Sequence, residues 1–306
     1  GRGTAGNGGR ATRGGTVAMT AEIRIGTCGY SFPDWKGVIY PPNLRPSLYL
    51  VHYARTLGFN AVELDSSFYH MPTISLIEAL LQKTPPGFLF TVKAHRSMTH
   101  DAWNAMSPAA PGHPAFPDLA SGLKSAALLA PAFMVFWEAV TPMADAGRLG
   151  TVVLQYPPWF RDTPENRRFL LTTRDMLPRL PLSIEFRDRS WHNADALAFL
   201  SREHLGYVAV DEPQLRNLLP LVPAVTSDVA YLRLHGRNAN WFGASREERY
   251  DYLYSKEELE QMLPSIHTMA ASAPLMFVMT NNCHRGQAVQ NARDLQAMLF
   301  PQQNRT

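Results

Sequence analysis

Residues 182–192 read LSIEFRDRSWH. Leu182, Ile184 and Phe186 alternate with Ser183, Glu185 and Arg187. A period of two marks a strand, whose successive side chains point to opposite faces. Glu185 and Arg187 therefore share a face. On a solvent-facing sheet such a pair is ordinary. Inside a barrel, burying a carboxylate and a guanidinium costs several kcal/mol unless they are paired or used. Which face this is decides the fold, and the rest of the chain answers it.

Seven other short runs have a similar character: IRIGTCG (23–29), FNAVELDSSF (59–68), FLFTVKAH (88–95), GTVVLQYP (150–157), GYVAVDEP (206–213), VAYLRLHG (229–236) and LMFVMTNN (275–282). Helical segments separate most of them. Tyr49 to Gly58 ends on a glycine, as a helix C-cap does. Asn193 caps a helix running to Gly206. Ser255 and Glu258 form a capping box, followed by Leu259, Met262, Leu263, Ile266 and Met269 on one face. Ala288, Ala292, Leu295 and Met298 make a last apolar stripe. Strand and helix alternating eight times predict an α/β fold, a (β/α)8 TIM-type barrel, as a single domain over 21–306. A doubly wound open sheet is the rival, and the Gly-rich phosphate loop it usually carries is not visible. Two irregularities are expected. QLRNLLPLVPAVTSD (214–228) holds Pro220 and Pro223 and predicts no proper helix between strands 6 and 7. SPAAPGHPAFP (107–117) reads as a loop before a helix near 121–147.

Composition limits the function classes. The net charge is +3, but Arg2, Arg10 and Arg13 lie in residues 1–20, which hold no acid. Taking those three from the 29 basic residues leaves 26, matched by 26 acidic ones. The folded part is thus no nucleic-acid binder by charge alone. Residues 1–20 read as a flexible Gly/Arg-rich tail, within which Met19 is an alternative start. Two cysteines, Cys28 and Cys283, make no disulfide framework and suit a reducing compartment. No apolar run reaches the roughly 18 residues of a membrane span, and no signal-peptide pattern opens the chain. A cytoplasmic protein without a membrane partner is expected. The oligomeric state is left open.

In a barrel the outward strand face meets helices and is apolar, so polar doublets point inward. Glu63 and Asp65, Lys93 and His95, Glu185 and Arg187, and Arg233 and His235 each share a face and lie near their strands' C-terminal ends. That is the mouth where such barrels do chemistry. Gln155 and Asp211 stand singly near their strand ends. Glu185 and Arg187 then belong to a converging ring of charge, or to an ion-pair network that merely plugs the mouth.

Several stretches, GTCGYSFPDWKG, NAVELDSSFYHMP, FTVKAHRSMTHD, VLQYPP, IEFRDRSW, YLRLHGR and NNCHRGQAVQNA, resemble the YecE-like family, a domain of unknown function. The resemblance runs in order from about 23 to 299 and implies a TIM-type barrel. It brings no catalytic mechanism. It points to Trp35, Glu63, Phe68, Tyr69, Lys93, His100, Gln155, Glu185, Arg187, Trp191, Asp211, Arg233, His235, Gly236, Asn281, Asn282, Gly286 and Asn291. This chain departs from the family pattern at Cys28, commonly Ser, and Asp65, commonly Asn.

Glu63, Glu185, Asp211 and His235 are the candidate catalytic groups. Lys93, Arg187, Arg233, Gln155, Tyr69, Trp35, Trp191, Asn281 and Asn282 are the candidate substrate-binding ones. Fixed cations suit phosphate or carboxylate, and histidines shuttle protons near neutral pH. Further aromatics follow the strands at Tyr30, Tyr156, Trp159, Trp241 and Phe242. HGRN (235–238) and NNCHRG (281–286) sit where barrels often bind phosphate, with Gly286 near the start of the last helix. The expected function is general acid/base chemistry on a phosphorylated or carboxylated anionic substrate, with phosphoester hydrolysis as the expected reaction. The alternatives are a glycosidase-like enzyme with paired carboxylates and a non-catalytic protein binding a small ligand or nucleic acid. No HExxH or CxxC spacing occurs, so a divalent metal, which is not favoured, would draw ligands from separate strands. Cys28 and Cys283 are expected side by side, because strands 1 and 8 are neighbours in a closed barrel.

Overall fold

A computed structural model describes residues 21–102, 124–215, 218–240 and 245–301. The loop expected at 107–117, Trp241, Phe242 and the tail 1–20 lie outside the described residues. Eight parallel strands close in sequential order into a barrel. They are β1 (Glu22–Cys28), β2 (Ala61–Leu64), β3 (Leu89–Lys93), β4 (Leu149–Gln155), β5 (Leu182–Glu185), β6 (Gly206–Asp211), β7 (Val229–Leu234) and β8 (Leu275–Thr280). Pairing of β1 with β8, from Glu22 opposite Leu275 to Thr27 opposite Thr280, completes the closure.

Helices wrap the outside. Helix α1 (Tyr49–Val51) continues as a π-helical turn over His52–Thr56. It is followed by α2 (Ile74–Lys83), α3 (Ala126–Asp145), α4 (Pro164–Met176), α5 (Ala194–Arg202), α6 (Arg246–Arg249), α7 (Lys256–Ala270) and α8 (Gln287–Leu299). Among the described residues no helix joins β6 to β7, as the two prolines there require. The Asn193 cap is present, its side chain accepting from Ala196 N–H. Helix α5 ends at Arg202 rather than at Gly206, because Leu205 already turns back and Gly206 begins β6. The Ser255–Glu258 capping box forms in full at the start of α7. By length and apolarity α3 passes for a membrane span, with 33% of its apolar window buried. Its Phe133, Phe136, Val140 and Met143 belong to the core around the barrel.

Strand register sorts the side chains into two faces. Val62, Leu64, Val92, Val152, Leu154, Ile184, Leu232 and Leu234 form outward neighbours and are buried under the helices. The inward set contains Cys28 beside Glu63, Glu63 beside Thr91, Gln155 beside Glu185, and Val210 beside Arg233. The interior is therefore layered. Deeper in, hydroxyls pair, Thr91 with Tyr231 across the barrel at 3.3 Å and Thr151 with Ser183 on the neighbouring strand at 2.9 Å. Phe277 fills space that Gly150 leaves, since a Cβ there would lie 2.2 Å from the ring. Charge lies above this layer, at the C-terminal end.

Candidate functional site

Arg233 is the centre of the charged layer. It projects inward from β7, is 1% exposed, and donates Nη1 to Glu185 Oε2 and Nη2 to Glu63 Oε2. Each neighbour comes from a different strand, so barrel closure alone brings them together. Tyr231 also donates its hydroxyl to Glu63 Oε2. The other oxygen, Glu63 Oε1, is buried with no hydrogen-bond partner among the described residues. Glu185 is a hub instead. Its Oε1 accepts from Gln155 Nε2 at 2.7 Å, lies 2.9 Å from Arg187 Nη2, and faces His235 Nε2 at 3.1 Å. Asn281 Nδ2 lies 2.8 Å from His235 Nδ1. With the amide donating there, the network assigns the imidazole proton to Nε2, toward Glu185.

Two cations stand at the rim of this layer. Lys93 holds Asp65 at 3.0 Å, with side chains 11% and 12% exposed. Arg187, 14% exposed, also reaches Glu212 Oε2 at 3.4 Å. Glu212 Oε1 accepts the Leu219 N–H at 2.9 Å, so the helix-free β6–β7 segment folds over this carboxyl.

The same geometry drives the carboxyl groups apart in acidity. Burial would raise Glu185, but Arg233 and Arg187 outweigh it and hold it well below the usual carboxylate range. Burial wins at Glu63, whose pKa is raised against the pull of Arg233 and Lys93. Burial also lifts Glu212 to about 7 despite Arg187. His235 is pushed down to about 3 by burial and then by Arg187. His100 is pushed down to about 4 by burial and then by Lys93 and Arg187. Both imidazoles are neutral, so neither histidine is the cation of the site. Glu212 is the group poised near neutrality, which is where acid/base transfer is most effective.

The structure brings Glu63, Lys93, Gln155, Glu185, Arg187, Arg233, His235 and Asn281 into this one ring. Other expectations need correction. Asp211 lies beside Leu234 on the outward face of the sheet. There it accepts Arg237 through both oxygens at 2.9 Å and Tyr254 Oη at 2.7 Å. Taking Asp211 as the single inward carboxyl at the end of β6 selects the wrong face by one residue; the carboxyl that reaches Arg187 is Glu212, and the DE pair at 211–212 was the available signal. Asn282 also faces away, donating to Tyr252 O and Asn291 Oδ1. Trp35 is fully buried, donating to Cys283 O and packed on Phe32 and Tyr40. Trp191 is buried against Phe186 and donates to Phe160 O. Both indoles are core, not rim. Tyr69 is exposed beside Phe68. His95 turns into a local cap, its Nδ1 accepting from Ser97 N–H. Among the described residues of the loops after β7 and β8, the polar groups are partly engaged within the fold. Arg237 is committed to Asp211 and Glu258, and Gly286 packs on Ile39 with Arg285 N–H given to Asp34.

Cys283 Sγ donates to Cys28 O at 3.3 Å, and the two cysteines form no disulfide. Among the described residues no three His, Cys, Asp or Glu side chains are grouped as metal ligands. Two shallow depressions, about 230 and 300 Å3, lie along α3 and α4 on the outer surface. None of the ring residues lines either.

A closed parallel barrel with its charge gathered at the C-terminal end defines a TIM-type barrel protein. The chain belongs to the family described as "Protein of unknown function DUF72", whose model matches residues 24–306. It is 30% identical over 293 residues to UPF0759 protein YunF of Bacillus subtilis (strain 168), covering 90% of this chain and 94% of that one. Among solved structures, a DUF72 family protein from Thermotoga maritima MSB8 has a TM-score of 0.77 at 36% identity, covering 90% of this chain and 98% of that one. Another from Enterococcus faecalis v583 has a TM-score of 0.75 at 25% identity, covering 91% and 95%.

Proposed function

We propose that this barrel is an enzyme acting by general acid/base chemistry on a small anionic substrate, phosphorylated or carboxylated, at the C-terminal mouth. One observation carries the reading. The carboxyls Glu63, Glu185 and Glu212 and the guanidinium of Arg233 are sealed, whereas Lys93 and Arg187 keep contact with solvent. Cations above buried carboxylates suit an incoming anion, and Arg187 is fixed in position by two carboxyl partners. Glu212, beside Arg187 and near neutrality, serves as the proton-transfer group. Glu185, saturated with donors, serves to orient Arg187, Arg233 and His235. Phosphoester hydrolysis is the reaction such a set of groups serves: cations neutralise the phosphoryl oxygens while a carboxyl assists water. Two cysteines outside any disulfide favour a cytoplasmic setting.

The glycosidase reading is weaker. Paired carboxylates work across a gap of about 5–5.5 or 6.5–9.5 Å that admits the sugar, and here Arg233 binds both Glu63 and Glu185. Thermal melts with a library of phosphorylated and carboxylated metabolites test the proposal. A member that stabilises the wild type should lose about 2–5 kcal/mol of binding with Arg187→Ala. Glu212→Gln should keep binding and lose turnover. Equal stabilisation of wild type and Arg187→Ala by every binding metabolite would remove Arg187 from the site.

A further inference from the structure

Several aromatic pairs of the core lie flat on one another, although others there, such as Tyr53 with Phe88 and Tyr156 with Phe169, meet edge-on. Phe186 and Trp191 stack at 4.1 Å and 9°, and Tyr156 and Phe160 at 4.1 Å and 16°. Their faces are consumed by each other. The rings beside the mouth cations meet edge-on instead. Phe68 and His100 lie 4.9 Å apart at 85°, and His100 and Trp159 lie 6.1 Å apart at 84°. An edge-on contact covers only part of a ring's face. Phe68 and His100 are half-buried, not sealed.

These rings adjoin the cations directly. Lys93 Nζ lies 5.1 Å from the Phe68 centroid. His100 feels both Lys93 and Arg187, which help to keep its imidazole neutral. The backbone explains the placement. Phe68 closes the 3-10 turn Asp65–Phe68 directly after β2, and His100 follows the turn Arg96–Met98 after β3. Adjacent strands thus deliver an aromatic corner and the Lys93–Asp65 pair to one side of the mouth. A small inorganic anion would need the cations only.

We propose that the mouth selects anions carried on a flat unsaturated ring, the anionic group on Lys93 and Arg187 and the ring against Phe68 and His100. The inference rests on the anion site proposed above and adds its substrate class. A flat ring gains dispersion and edge-to-face contact from such a corner, whereas a saturated ring of the same size gains apolar contact alone.

Two series of probes test it by titration calorimetry: methyl, cyclohexyl and phenyl phosphate, and acetate, cyclohexanecarboxylate and benzoate. In at least one series the flat ring should bind about tenfold or more tighter than the smallest anion, and several-fold tighter than the saturated ring. The series that shows the gain identifies the anion as phosphate or carboxylate. Phe68→Leu and His100→Ala should erase the gain, lowering the flat ring's affinity several-fold more than the smallest anion's, whereas Arg187→Ala should weaken every member of that series. If small, saturated and flat anions bind alike, the ring proposal falls and the anion site stands. If no probe binds, both fall. Should a variant fail to fold, the wild-type ratio of phenyl to cyclohexyl probe decides alone.

Discussion

At the scale of single residues, Glu212 gives the mouth a measurable pH signature. Its folded pKa of about 7 lies above the ordinary 4.5, so the folded state holds this proton more tightly than the unfolded chain does. The stability this supplies is fully present below about pH 4.5 and is lost as pH rises through 7. His235 acts in the opposite sense. Its depressed pKa of about 3 supports stability above pH 6.5 that is lost as pH falls. Only a difference between proteins separates the two. Glu212→Gln should gain stability over wild type as pH rises from 5 to 8, by roughly 3 kcal/mol at the full shift. Denaturant melts across that range measure it, and a difference that stays constant with pH would mean that Glu212 titrates normally. Glu63, Glu185, Lys93, Arg187, Arg233 and His235 were legible as inward charges because strand alternation is a local property. Glu212 was not, since Asp211 beside it is as plausible a strand-end carboxylate. The choice between them depends on where β6 sits against β7, with Val210 opposite Arg233.

At the scale of elements, local chemistry and tertiary context divide the work. The Ser255 capping box is wholly local: Ser255 Oγ accepts Glu258 N–H, and the Glu258 carboxylate accepts Ser255 N–H. Ser255→Ala should cost about 1 kcal/mol of stability. Circular dichroism melts would show this as a lowered Tm with the same folded spectrum. A loss far larger would assign Ser255 a role beyond α7. Glu258 also reaches Arg237 and Tyr252, so the first turn of α7 ties to the Asp211 cluster outside the barrel. That cluster takes up the guanidinium of Arg237 in HGRN, a pairing that local sequence does not show because the partner Asp211 lies 26 residues earlier. Trp35 and Trp191 were misplaced for the same reason. An aromatic after a strand can sit at a rim or fold under it, and the backbone carbonyls that receive their indole N–H groups, Cys283 and Phe160, lie 248 and 31 residues away.

At the scale of the whole molecule, closure of β1 onto β8 encloses the thiols. Cys28 is sealed and burial pushes its pKa well up, with Glu63 adding to the effect. Cys283 is also buried. A thiol reagent such as Ellman's should therefore label the native protein very slowly, and should count two thiols in denaturant. Rapid native labelling of both would mean that the β1–β8 seam opens. The sequence by itself determined the eight strands, the facing of most of their charged residues, the Asn193 and Ser255 caps and, among the described residues, the missing helix between β6 and β7. Each of these follows from side-chain period, proline geometry or a hydrogen bond spanning a few residues. Only the tertiary structure decided which charges pair. It joined Arg233 to both Glu63 and Glu185, gave Arg237 to Asp211, and set Lys93 with Asp65 and Arg187 with Glu185 and Glu212 at a rim where each cation keeps a small exposed fraction. Most of those pairings join residues on or just after separate strands, and the energy of a buried charge depends on neighbours that barrel closure alone supplies.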